Sequence, residues 1–126
     1  MAHILIVDDQ PLLLRMMSVY LSRLGYSVTT ETTTERAWEH VEKDPDGTDV
    51  AVLDGTMAGI GLEDLALRML RANPHLRILG ASGYPVDMTA VEAAAPGRVA
   101  FLQKPFTPEM LAKAVRSLLG AEEKDV

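Results

Sequence analysis

Val50-Ala51-Val52-Leu53-Asp54-Gly55 is an apolar run that stops at a carboxylate and is followed by glycine. Continuous rather than alternating, and bounded by turn residues, it reads as a strand buried on both faces of a parallel sheet. Two other stretches have the same form. Ile4-Leu5-Ile6-Val7 runs into Asp8-Asp9, and Val99-Ala100-Phe101-Leu102 runs into Gln103-Lys104-Pro105. In open α/β sheets ligands bind beyond the carboxyl ends of the strands. Three acids and a lysine at three such ends therefore predict one site for a cation and a phosphoryl group.

Working outward, residues 3–7 form the first strand and Pro11 opens a helix that runs to about Leu24, closed by Gly25. Leu13, Met16, Met17, Tyr20, Leu21 and Leu24 share the i, i+3, i+4, i+7 spacing and form its expected core stripe. Leu12 and Leu14 fall off that stripe, either as ordinary exposed leucines or as a docking patch beside the site. Residues 26–30 make a weaker, β-branched strand. Thr32-Thr33-Thr34-Glu35 has capping-box spacing, with Glu35 reaching back to Thr32, before a second helix over residues 33–43. Residues 49–54 are the third strand.

The loop Gly55 to Gly61 contains three glycines, which suits close approach of backbone to a ligand. Leu62, Leu65, Ala66, Met69 and Leu70 mark the third helix, ended at Asn73-Pro74. Leu76 to Ser82 is the fourth strand, 87–95 a short alanine-rich helix, and 98–103 the fifth strand. Thr107 caps the last helix with Pro108 at its first turn, and Leu111, Val115, Leu118 and Leu119 face inward. Five strands alternating with five helices predict an α/β, doubly wound, parallel sheet with right-handed crossovers.

Composition narrows the function. A chain of 126 residues suits one domain. No apolar run approaches the roughly 18 residues of a membrane span, and His3 enters a strand with no charged leader before it, so no signal peptide is expected. The absence of cysteine excludes disulfides and thiolate chemistry and fits a reducing, cytoplasmic setting. A net charge of −6 argues against direct nucleic-acid binding.

The site residues each have a plain reading alone: Asp8-Asp9 as a helix cap, Asp54 as a turn residue, Lys104 as a solvated lysine. Together at carboxyl strand ends they suit a hard cation such as Mg2+. A carboxylate beside such a cation and a lysine can attack phosphorus and become an aspartyl phosphate. Ser82 could donate its hydroxyl to a phosphoryl oxygen.

With these residues in order, the chain resembles the receiver domain of two-component response regulators. The resemblance rests on Ile6-Val7-Asp8-Asp9, on Asp54 after Ala51-Val52-Leu53, on Ser82-Gly83 after Arg77-Ile78-Leu79-Gly80-Ala81, and on Phe101-Leu102-Gln103-Lys104-Pro105-Phe106. It covers residues 3–119 as a receiver domain and leaves 120–126 as a charged tail. It implies a flavodoxin-like (βα)5 fold with strand order 2-1-3-4-5. It further implies Asp54 as phosphoacceptor; Asp8, Asp9, Asp54 and the Thr56 carbonyl as Mg2+ ligands; Ser82 and Phe101 as the switch pair; Lys104 as the phosphate's partner; and a cis Lys104–Pro105 bond. The phosphoryl source would be a sensor histidine kinase or a histidine phosphotransfer protein. The output would leave through the face of the fourth helix, fifth strand and fifth helix, with a homodimer there as one form. Beyond its own phosphorylation and autodephosphorylation, no enzyme is implied.

The chain departs from the family at Met57-Ala58-Gly59-Ile60-Gly61-Leu62, where a proline after Met57 and an Asp-Gly pair are the usual residues. A more mobile loop is the expectation. Thr56 and Tyr84 flank the path of attacking water and should tune hydrolysis. Three other readings compete. A haloacid-dehalogenase-like phosphohydrolase needs Asp-x-Asp rather than adjacent acids. A flavodoxin-type flavin binder needs a hydroxyl-rich phosphate loop after the first strand. An adaptor acting by protein contact alone needs the loop departures to be disabling.

Overall fold

The computed structural model describes residues 1–120, so the charged tail lies outside the described residues except for Gly120. In chain order the elements are β1 (His3–Val7), α1 (Pro11–Arg23), β2 (Ser27–Glu31), α2 (Thr34–Lys43), β3 (Val50–Asp54), α3 (Leu62–Ala72), β4 (Arg77–Ser82), α4 (Thr89–Ala94), β5 (Val99–Gln103) and α5 (Pro108–Leu119), with a 3-10 turn at Pro45–Gly47. The five strands form one parallel sheet in the order β2-β1-β3-β4-β5. This is the doubly wound parallel sheet that the strand and helix pattern predicts, in the flavodoxin-like order that the resemblance implies.

Successive strand residues point to opposite faces, and the core divides accordingly. Leu5, Val7, Ala51, Leu53 and Ile78 pack with α2, α3 and α4 on one face. Ile4, Ile6, Val50, Val52 and Leu79 pack with α1 and α5 on the other. Burial on both faces is what makes these strands continuous apolar runs. The polar β2 escapes that demand because it is an edge strand.

Local signals set most boundaries. Gly25, at φ 101°, ends α1 with paired bonds from Gly25 N–H to Ser22 O and from Tyr26 N–H to Leu21 O, a Schellman closure. The Thr107 hydroxyl accepts from Met110 N–H and Pro108 begins α5. In α5 the buried residues are the four expected ones, Leu111, Val115, Leu118 and Leu119.

Three local expectations need correction. In α1 Met17 and Leu21 are buried as expected, but the residue buried with them is Leu14, which was expected off the stripe, while Met16 and Leu24 are exposed. The stripe is rotated by about one residue because α1 turns that side toward the sheet and α5. The α2 cap is Thr33, not Thr32: Thr33 is the extended residue (φ −130°, ψ 150°) and its hydroxyl accepts from Arg36 N–H at 3.1 Å. The fourth helix is also shorter than expected, covering Thr89–Ala94 with Val91 as its buried residue.

Candidate functional site

The sheet delivers four chain segments side by side at its carboxyl edge. β1 ends into Asp8, β3 ends on Asp54, β4 ends on Ser82, and β5 is followed by Lys104. Because β1, β3, β4 and β5 are adjacent in that order, these side chains meet over one edge although they are up to 96 residues apart.

Asp54 is buried, at 5% exposure. Its Oδ1 accepts from Thr56 N–H at 3.0 Å and from the Thr56 hydroxyl at 2.8 Å. Its Oδ2 lies 3.4 Å from Lys104 Nζ and accepts no hydrogen bond. Asp8, 2% exposed, accepts from Gln10 N–H through Oδ1 and pairs with Lys104 Nζ at 2.9 Å through Oδ2. Asp9 is exposed at the rim. Carboxylate oxygens of Asp8, Asp9 and Asp54 all lie within 4.8 Å of one another.

Such crowding of like charge raises the energy of the ionised site unless a cation answers it. Lys104 is one answer. Burial works against its charge most strongly, but the contacts with Asp8 and then Asp54 outweigh burial and hold the ammonium's pKa above its ordinary 10.5. The orphaned Asp54 Oδ2 and the all-oxygen donor set show that a hard divalent cation fits here as a second answer.

The β4 end contributes Ser82, 1% exposed, whose Oγ accepts from Tyr84 N–H at 3.1 Å. That leaves the hydroxyl proton available to another acceptor. Lys104 N–H donates to Ser82 O at 2.9 Å, so the lysine and serine segments are fastened together. The Lys104–Pro105 peptide bond is cis. Phe101 and Tyr84 are exposed, at 36% and 73%. Phe101 lines an open groove with Val86, Met88, Thr89, Glu92 and Val99, along α4 and β5. Asp8, Asp54, Ser82 and Lys104 are thus gathered at one place, Asp9 joins them from the rim, and Phe101 stands apart on the α4–β5 side.

Two features were missed in the sequence. The Thr56 side chain, and not only its backbone, holds Asp54. A D-x-T spacing at a strand end is a signal for such a turn. The second is Thr34, whose buried hydroxyl reaches across to the loop between β3 and α3. Three consecutive threonines before a helix suggest only caps, and hide it.

A family model for the response regulator receiver domain matches residues 4–116. The chain belongs to that family. Among relatives of this receiver, it is 32% identical over 120 residues to the DNA-binding transcriptional regulator NtrC of Azospirillum brasilense, covering 95% of this chain and 24% of that protein. It is 28% identical to the chemotaxis protein CheY of Thermotoga maritima, covering 92% of this chain and 96% of that one. The receiver therefore spans about a quarter of the NtrC regulator and nearly all of CheY. Among solved structures, a response regulator protein from Burkholderia pseudomallei with a phosphorylated aspartic acid, a calcium ion and citrate superposes with a TM-score of 0.76 at 25% identity, over 98% of this chain and 73% of that one. Receivers are signalling domains, and none of these comparisons points to an enzyme family. Among the described residues no helix is long and apolar enough to cross a membrane.

Proposed function

We propose that residues 3–119 act as a phosphoryl-accepting receiver with Asp54 as the acceptor. The observation that carries this reading is the state of Asp54. Its carboxylate is buried, fixed through one oxygen by Thr56, and left free of hydrogen bonds at the other, 3.4 Å from Lys104. The phosphorylated aspartic acid and calcium ion in the Burkholderia pseudomallei response regulator protein support it by analogy.

In this reading a carboxylate oxygen of Asp54 attacks phosphorus. The new O–P bond forms as the P–N bond of a phosphohistidine breaks, and the imidazole nitrogen keeps the electron pair. Lys104 neutralises a phosphoryl oxygen as charge spreads over the group, and the Ser82 hydroxyl donates to another. Asp8, Asp9, Asp54 and the Thr56 carbonyl would hold Mg2+, which supplies neutralising charge to the carboxylates and the phosphoryl oxygens when bound. Breakdown is attack by water on phosphorus, which cleaves the O–P bond, frees inorganic phosphate and restores the carboxylate. Thr56 and Tyr84 flank that approach and set its rate.

The donor is a sensor histidine kinase or a histidine phosphotransfer protein, in the cytoplasm. The added charge draws Ser82 inward, Phe101 follows, and the α4–β5–α5 face changes the partner, output domain or second copy it accepts. This chain itself makes no contact with nucleic acid.

Intact mass after incubation with acetyl phosphate and Mg2+ tests the proposal. One phosphoryl adduct is expected, absent from Asp54→Asn and abolished by EDTA. A folded wild type that takes no adduct would instead favour an adaptor working by protein contact alone.

A further inference from the structure

The loop from Gly55 to Gly61 leaves Asp54 and returns at α3, and its sequence gives it little stiffness of its own. It has three glycines, with Ala58 where the family usually has proline. Glycine widens the backbone's choices and proline narrows them, so both changes raise the entropy lost on ordering the loop. Yet the second half of the loop is fastened. Ile60 N–H donates to Thr34 Oγ1 at 2.9 Å. The single Thr34 hydroxyl proton faces two acceptors, Glu35 Oε1 at 3.2 Å and Ala58 O at 3.4 Å. Thr34 is 2% exposed, so this exchange occurs away from water.

Gly59 is what lets the parts meet. It sits at φ 95°, and a Cβ there would lie 2.5 Å from both Thr34 Oγ1 and Glu35 Oε2. The contact therefore requires a hydroxyl on α2 and a glycine on the loop together. Four residues before Ile60, the same loop carries Thr56, which binds Asp54 Oδ1 through both its amide and its hydroxyl.

We propose that Thr34 is a positioning residue for the phosphoacceptor site: its buried hydroxyl pins the Ala58–Ile60 segment and so fixes Thr56, replacing the stiffness the loop lacks. This rests on the receiver reading above. Thr34 touches neither phosphoryl group nor cation and acts through the loop.

Three variants of the full chain test it: Thr34→Val, which keeps the shape and removes the hydroxyl; Thr34→Ser, which keeps the hydroxyl; and Gly59→Ala, which breaks the contact from the loop side. Amide exchange at Ile60 reads the contact without any ligand. It should speed up in Thr34→Val and Gly59→Ala and stay near wild type in Thr34→Ser. Titration with MgCl2 alone should show affinity weakened about threefold to tenfold in the first two, the scale of one lost hydrogen bond, with rescue by serine. Combining Thr34→Val with Gly59→Ala should add little, because both remove one interaction. A wild type that binds no Mg2+ and accepts no phosphoryl group would overturn the receiver reading and this role with it. A working wild type matched by Thr34→Val in Mg2+ affinity would overturn the role alone. So would an Ile60 amide as well protected in Thr34→Val as in wild type.

Discussion

At Lys104 one ammonium serves two carboxylates, Asp8 at 2.9 Å and Asp54 at 3.4 Å. Removing it leaves two buried acids without the ammonium that pairs with both, and with Asp9 close by. An unpartnered buried charge is costly. Lys104→Met should destabilise the fold by about 1–3 kcal/mol in urea titrations, less than for a fully sealed pair because the ammonium keeps some contact with water. Mg2+ should return most of that loss, since it answers the same charge. Equal stability of variant and wild type without Mg2+ would show that the pair contributes nothing. The pH dependence has a definite sign. The folded pKa of Lys104 lies above its ordinary 10.5, so its contribution is complete below that value and is lost as pH rises through the folded one. Between about pH 6 and 9 stability should not change on its account.

α1 shows where a helical pattern stops being decisive. Leu12, Leu13 and Leu14 are consecutive, so apolar stripes of adjacent phase can be drawn through the same residues. Spacing alone accepts Leu13, Met16, Tyr20 and Leu24 as readily as Leu14, Met17 and Leu21. The choice is made by the sheet and α5, which the helix meets only in the fold. The consequence is measurable. Leu14→Ala, at a buried site, should cost about 2–4 kcal/mol, whereas Leu24→Ala, at an exposed helix end, should stay within about 0.5 kcal/mol. Comparable losses at the two positions would contradict the observed phase. α2 poses the same problem in miniature. Thr32, Thr33 and Thr34 are chemically equivalent as caps, and only the backbone angles at Thr33 separate them. α5 had no such ambiguity, because its leucines and valine fit one phase and Thr107-Pro108 marks one start.

Over the whole molecule, what could be read in advance follows from how far apart the causes lie. β1, β3 and β4 were legible as apolar runs because burial on both sheet faces constrains nearly every residue in them, and the edge strand β5 was legible from its apolar residues although it is only partly buried. The gathering of Asp8, Asp54, Ser82 and Lys104 was legible because each stands at a carboxyl strand end, and a parallel sheet brings such ends together. The pairing of Lys104 with Asp8, the hydroxyl of Thr56 on Asp54 and the reach of Thr34 were not. They depend on side-chain directions at contacts between segments distant in sequence or within a turn, and spacing does not encode those. The fold thus spends its polar order on one edge of the sheet, where three acids crowd and Lys104 opposes them. A ligand that binds this arrangement and not the unfolded chain must stabilise the whole domain by mass action. At Mg2+ near one hundred times its dissociation constant the gain is about 2.7 kcal/mol, which for a domain of this size corresponds to a rise in Tm of about 10 °C. Asp54→Asn should shrink that rise, since it removes one of the three charges, whereas Leu24→Ala, far from the site in function, should keep it. A thermal melt unmoved by Mg2+ in the wild type would mean that the acidic edge does not hold the ion at all.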